Sequence, residues 1–138
     1  MIYLKAESKQ FGEFVFPVAS GLFGLNETKH FNVSLPLVPY QEDNGCNAPN
    51  YSYQGLAVMV PRGYCPFQTK SINLAKSGAS LVLISDNVPE DSFVMSTDKN
   101  ADHRLPNIPV ALVGWNDSRR LYRWLKHDYY VSLSLYNP

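Results

Sequence analysis

Pro61-Arg62-Gly63-Tyr64-Cys65-Pro66-Phe67 lies between two apolar runs, Leu56 to Val60 and Leu81 to Ile84. Between it and the second run sits a short helical pattern, Phe67 to Ser77, closed by Gly78. The order reads as strand, tight turn, helix, strand. Each apolar run has strand length and is rich in Val, Leu and Ile, as expected where both faces of a sheet are covered. Pro66 suits the first turn of a helix, where a missing N–H costs nothing, and Gly78 suits a left-handed stop. A crossover of this size joins parallel strands and is expected to be right-handed. It places Arg62 and one of only two cysteines at the carboxyl end of a buried strand, where ligand crevices of such sheets commonly open.

The flanking segments supply more strands. Ile2, Leu4 and Ala6 alternate with polar residues, and Phe14 to Val18 is a second short β pattern ending near Pro17. Ser20 to Leu25 reads as a turn, and His30 to Val38 as an alternating strand. Tyr40 to Tyr53 is a polar loop with Asn44-Gly45 as its turn signal. Ser85 to Pro106 is a long polar stretch, and loops of that length are more often functional than merely connecting. Ile108 to Val113 is a third apolar run, which Pro109 pushes toward a strand start or a sheet edge. Asn116 or Asp117 can cap a helix running to about Lys126, with Leu121, Trp124 and Leu125 on its inner side. Val131, Leu133 and Leu135 alternate with serines in a final strand, Tyr129 to Tyr136.

The chain has 138 residues, enough for one domain with its own core, and residues 1–138 read as a single domain. Twelve acidic and twelve basic residues cancel, so no global field favours nucleic acid as a partner. Ten prolines and nine tyrosines fit short, turn-bounded strands better than a helical bundle. No apolar stretch approaches the roughly 18 residues needed to span a bilayer. Met1-Ile2-Tyr3-Leu4-Lys5 does not begin a signal peptide, so the chain is either cytosolic or a mature or excised piece.

Four N-glycosylation triplets favour the second option: Asn26-Glu27-Thr28, Asn32-Val33-Ser34, Asn50-Tyr51-Ser52 and Asn116-Asp117-Ser118. Chance would give roughly one or two. As a helix N-cap, Asn116 would have its side chain occupied, which makes it the weakest of the four. The expected home is the lumen of the endomembranes or the extracellular space. In an oxidising space Cys46 and Cys65 read as a disulfide worth about 3 kcal/mol; in a reducing one they read as two buried thiols.

The raw material for catalysis is thin. His30, His103 and His127 are far apart and show no zinc spacing. No Gly-x-Ser-x-Gly elbow or phosphate loop occurs, and a Cys–His pair needs a free thiol. Asp86, Glu90, Asp91, Asp98 and Asp102 lack the order of a calcium loop. The expectation is a domain with no catalytic residue, no metal and no cofactor. Lys70 reads as a solvated helix residue, and Phe67 as a core anchor at the helix start. Arg119, Arg120, Arg123 and Lys126 form either a solvated helix face or a docking patch for an acidic partner.

Arg62-Gly63-Tyr64-Cys65-Pro66-Phe67, Lys70, and Asn73-Leu74-Ala75-Lys76-Ser77-Gly78-Ala79 resemble the signature of the protease-associated (PA) domain. Ile108-Pro109-Val110-Ala111-Leu112-Val113 is similar to a later element of that family, and the likeness covers about Cys46 to Leu125. The resemblance implies a mixed α/β fold, a β-sandwich or open β-barrel with two flanking helices. Asn44 to Ser52 also resembles a segment in the lumenal domains of transmembrane RING ubiquitin ligases of the GRAIL and Goliath type, which pair its cysteine with that of the Arg-Gly motif. Plant vacuolar sorting receptors share the Arg-Gly-x-Cys-x-Phe element, where the arginine helps to hold cargo.

The likeness therefore implies non-catalytic binding of a protein or peptide at Arg62, Gly63, Tyr64 and Asp86, bordered by the Ser85 to Arg104 loop. Arg62 can instead serve structure alone, tying down loop carbonyls. Three parents fit: the substrate-recruiting ectodomain of a membrane-anchored ligase, a cargo-sorting receptor, or a peptidase with an accessory domain. Neither a transmembrane helix nor a RING cysteine cluster lies within these residues.

Overall fold

The computed structural model describes residues 2–20, 34–89 and 108–136. They run as β1 (Ile2–Ser8), β2 (Gly12–Ser20), β3 (Leu35–Pro39), β4 (Ala57–Pro61), α1 (Phe67–Lys76), β5 (Leu81–Ser85), β6 (Val110–Val113), α2 (Trp115–His127) and β7 (Val131–Tyr136). The strands form one sheet in the order β1-β2-β6-β5-β4-β3-β7. Of the two arrangements expected, the barrel is the one that forms, and pairing of β1 with β7 closes it. Closure sets Leu4 opposite Leu135 and Ala6 opposite Leu133, so neither end of the sheet is left as an open edge.

The barrel has two halves with different burial rules. β3–β4, β4–β5 and β5–β6 are parallel pairs; the remaining pairs are antiparallel. In the parallel half, Ala57, Met59, Leu81, Leu83, Ala111 and Val113 belong to the larger core cluster. Their alternates Val58, Val60, Val82, Ile84, Val110 and Leu112 pack with Leu74 of α1 in a second cluster. Both faces are dry, which is why β4, β5 and β6 read as unbroken apolar runs. In the antiparallel half only one face is buried. Leu4, Ala6, Phe14, Phe16, Val18, Val131 and Leu133 join the larger cluster, while Tyr3, Val15 and Tyr136 on the other face are exposed. Leu121 and Trp124 of α2 complete that larger cluster.

Two boundaries differ from expectation. β2 does not end near Pro17 but continues to Ser20. Pro17 faces Tyr3 of β1, and the pairing of β2 with β6 starts only at Val18. The missing N–H thus falls where β2 is paired on one side alone. Neither Asn116 nor Asp117 caps α2. The cap is Gly114, without a side-chain bond, and its carbonyl accepts from the Ser118 N–H at 2.9 Å. Asp117 then sits within the first turn, where its charge complements the helix dipole.

Among the described residues no helix is long and apolar enough to cross a membrane. Ser20, expected to open a turn, instead ends β2. The rest of that turn to Leu25, the start of the His30 strand, the sequons at Asn26 and Asn32, and most of the Ser85 to Arg104 loop lie outside the described residues.

Candidate functional site

β4, β5 and β6 end side by side, with Pro61 opposite Ser85 and Ser85 opposite Val113. The ladder runs one step further: Arg62 N–H donates to the Ser85 carbonyl at 3.0 Å, and Asp86 N–H to that of Val113 at 2.9 Å. This register sets the two side chains against each other. Arg62 Nη1 lies 3.1 Å from Asp86 Oδ1, with the Asp86 side chain 2% exposed and that of Arg62 33% exposed. Asn87 Nδ2 donates to the Arg62 carbonyl at 3.2 Å, and the Arg62 guanidinium stands 5.8 Å from the centre of the Phe67 ring. Arg62 therefore grips the carboxylate of the neighbouring strand, a structural task that still leaves a third of its side chain in solvent.

Gly63 and Tyr64 make the corner. Tyr64 has a φ of 73°, a left-handed conformation that costs a side chain about 1–2 kcal/mol, and the residue is 92% exposed. The turn is pinned by the Gly63–Cys65 bridge and by the Cys46–Cys65 disulfide. The disulfide ties the corner to the Asn44-Gly45 turn, which α1 holds by two further bonds. Asn73 Nδ2 donates to the Gly45 carbonyl at 3.0 Å, and Lys70 Nζ donates to the carbonyl of Asn44. Lys70 is thus not solvated but fully buried. Its stem packs beside Gly45, whose φ of 83° strains any side chain and where an added Cβ would come within 3.0 Å of the Val60 side chain. Loss of water lowers the Lys70 pKa, against a smaller opposing pull from Asp43.

Beside the corner a groove of about 570 Å³ opens between the strand ends and α2. Its strand side includes Tyr40, Pro61, Ser85 and Asp86; its helix side presents Trp115, Arg119, Tyr122 and Lys126. Tyr122 and Ser85 join the two walls by a hydroxyl–hydroxyl bond of 2.9 Å. Of the four expected binding residues, Asp86 lines the groove, while Arg62, Gly63 and Tyr64 stand just outside it and meet it at Pro61 and Asp86. The aromatic helix wall was not anticipated. Its signal was available in Trp115, Ser118, Tyr122 and Leu125, spaced three and four apart. Among the described residues, no three His, Cys, Asp or Glu side chains come together in a way that could hold a metal.

Three tyrosines around this site hold their protons tightly. Burial, then the charges of Asp43 and Glu42, pushes Tyr40 up to about 12. Burial and the 2.8 Å bond to Glu42 Oε2 raise Tyr53 further, and burial raises Tyr122 despite its bond to Ser85. The unfolded chain releases such protons near pH 10. A raised folded pKa gives stability that is complete below that pH and is lost as pH climbs through the folded value. Lys70 acts oppositely, its contribution rising with pH until about 10.4, where the unfolded lysine titrates. Urea denaturation between pH about 10.5 and 12 should therefore show falling stability, with a shallower fall in Tyr40→Phe. A flat profile would contradict these shifts.

The sequons within the described residues differ in setting. Asn50 is exposed. Asn116 is exposed as well, and since it is not the cap its side chain is not consumed as expected. The hydroxyl of Ser118 in the same triplet is buried, donating to the Val113 carbonyl at 3.1 Å.

The fold is shared by solved peptidases. An aminopeptidase from Aneurinibacillus sp. strain AM-1 matches 98% of this chain with 30% of its own length, at a TM-score of 0.68 and 16% identity. A zinc aminopeptidase from Bacillus subtilis matches the same share with 31% of its length, at 0.64 and 19%. In sequence, a probable lipoprotein aminopeptidase of Mycobacterium tuberculosis is 34% identical over 57% of this chain. Vacuolar-sorting receptor 5 of Arabidopsis thaliana is 29% identical over 82%, and signal peptide peptidase-like 4 of Oryza sativa subsp. japonica is 32% identical over 67%. This chain spans only 17–20% of the length of these three relatives. The family model for the PA domain matches residues 33–121, well over half the chain, and the protein belongs to that family.

Proposed function

We propose that this domain binds an extended segment of another protein without acting on it chemically, and so presents that segment to the remainder of a longer chain. The observation that carries this reading is the groove at the carboxyl ends of β3, β4 and β5, continuous at Pro61 and Asp86 with the corner of Arg62, Gly63 and Tyr64. An open, aromatic-walled trough of this size suits a peptide held partly through its backbone. A disulfide-tethered loop and an exposed Asn50 sequon fit a lumenal or extracellular home. Residues 1–138 act on this view as one accessory domain. The relatives support a sorting receptor or a peptidase as the parent; the membrane-anchored RING ligase rests on the Asn44 to Ser52 segment.

The test selects binders for the wild-type domain from a synthetic library of amide-capped peptides and then follows their affinity in variants. Arg62→Ala should cost about 1–3 kcal/mol of stability, because the buried Asp86 carboxylate loses its partner. In the folded variant, peptide affinity should fall roughly tenfold, with partial recovery in Arg62→Lys, which keeps a charge but not the fork. Lost stability with unchanged affinity would confine Arg62 to a structural role. Gln41→Trp, which fills the groove from an exposed rim position, should abolish binding. Binders indifferent to Gln41→Trp would remove the groove from the site.

A further inference from the structure

The groove has a charge bias that the chain as a whole lacks. The protein is formally neutral, yet among the described residues the charged side chains lining the groove are Arg119, Lys126 and Asp86. Asp86 is already answered by Arg62 within the fold. Among the described residues, no carboxylate forms a salt bridge with Arg119 or Lys126. Arg119 is held with its guanidinium 4.4 Å from the centre of the Trp115 ring, a stack that leaves its edge donors available for a carboxylate. Lys126 is exposed at the other end of the same helix face. Among the described residues the uncompensated charge of the groove is positive, and it is carried by α2.

Resting on the reading of the groove as a peptide site, we propose that its partner is an acidic peptide segment. The segment would place two Asp or Glu side chains against Arg119 and Lys126, with an apolar residue between them over Tyr122. The two cations are seven residues apart on one helix, about 10 Å along its axis. An extended polyproline-like chain rises roughly 3.1 Å per residue with three residues per turn. Acidic residues three apart therefore fall on one side of it at nearly the spacing of the two cations. With Arg119 held over Trp115 and Lys126 two turns further along, a pair of carboxylates, and not negative charge alone, is the pattern that fits the helix face.

The experiment uses the same amide-capped library, which removes terminal carboxylates as a source of charge, against the wild type, an Arg119→Gln/Lys126→Gln double variant and Gln41→Trp. Both substituted cations are exposed, so the fold should be retained. Wild-type binders should be enriched in Asp or Glu three apart. Changing both acids to amides should weaken such a peptide about tenfold, as two exposed ion pairs would give, and the difference should shrink on raising salt from about 0.15 M to 0.5 M. In the double variant, acid and amide peptides should bind alike.

Binders that carry no acidic pattern, ignore the double variant and are lost in Gln41→Trp would overturn the acidic partner while leaving the groove as a peptide site. Binders indifferent to Gln41→Trp would overturn both. Anionic vesicles that bind the wild type but not the double variant, with no acidic peptide selected, would overturn the proposal by assigning the two cations to a lipid surface.

Discussion

Trp124→Ala is expected to lower folding stability by about 3–5 kcal/mol, the usual cost of truncating a buried tryptophan to alanine. Trp124 is 4% exposed and belongs to the cluster that fills the barrel. Its ring stacks on Phe11 at 5.7 Å between centroids and meets the edge of Phe14 at 4.9 Å. The Arg120 guanidinium lies 4.0 Å from the Phe14 ring and 5.5 Å from that of Trp124. Removing the indole empties space that α2, β2 and the β1–β2 turn share, and a closed barrel has little freedom to collapse into it. Against a total of about 5–15 kcal/mol for such domains, the loss is a large fraction, equivalent to a fall in Tm on the order of 10 °C.

The same substitution bears on function, because α2 supplies one whole wall of the groove. Trp115 is the only other tryptophan and lies in that wall, so in Trp124→Ala its fluorescence reports on the wall alone. A red-shifted Trp115 emission below the melting transition would show α2 loosening before the barrel opens. A loss under about 1 kcal/mol would mean that α2 is not anchored through this ring, contrary to its place in the cluster.

What could be foreseen in the sequence follows from which interactions are local. β4, the Arg62 corner, α1 and β5 were legible because their apolar runs, Pro66 and Gly78 carry the signals within a few residues of where they act. α2 was legible on its inner side, Leu121 and Trp124, by helical spacing. Barrel closure was not, since β1 and β7 pair across the whole chain and either could have ended a sandwich. Lys70 was misjudged for a similar reason: a lysine on a short helix reads as solvated unless the Asn44 turn is known to lie across it. Arg62 and Asp86 were both named as site residues, but their mutual bond depends on the parallel register of β4 and β5. The groove is a relation between two elements, and periodicity along either one does not reveal what faces it.

Removing the disulfide through Cys46→Ser with Cys65→Ser should cost about 3 kcal/mol, the loop-closure value for a separation of 19 residues. In the chain-entropy account nearly all of that cost falls on the unfolded chain, because the native loop keeps other ties. Gly45 N–H donates to Asp43 Oδ1 at 2.7 Å and Cys46 N–H to Asn44 Oδ1 at 3.2 Å, while Asn73 and Lys70 hold the two carbonyls from α1. Denaturant midpoints should therefore drop, while native-state hydrogen exchange at Gly45 slows or quickens only in step with global stability. The opposite pattern, rapid exchange at Gly45 with a midpoint that barely moves, would show that the bridge works by restraining the native turn. A second comparison separates the two accounts. If the loop stays in place without the bridge, Asn73→Ala should cost the same in bridged and unbridged protein, within about 0.5 kcal/mol. If it costs clearly more without the bridge, the disulfide and the α1 contacts share one task, holding the Tyr64 corner in its left-handed turn, and peptide affinity should then fall together with stability.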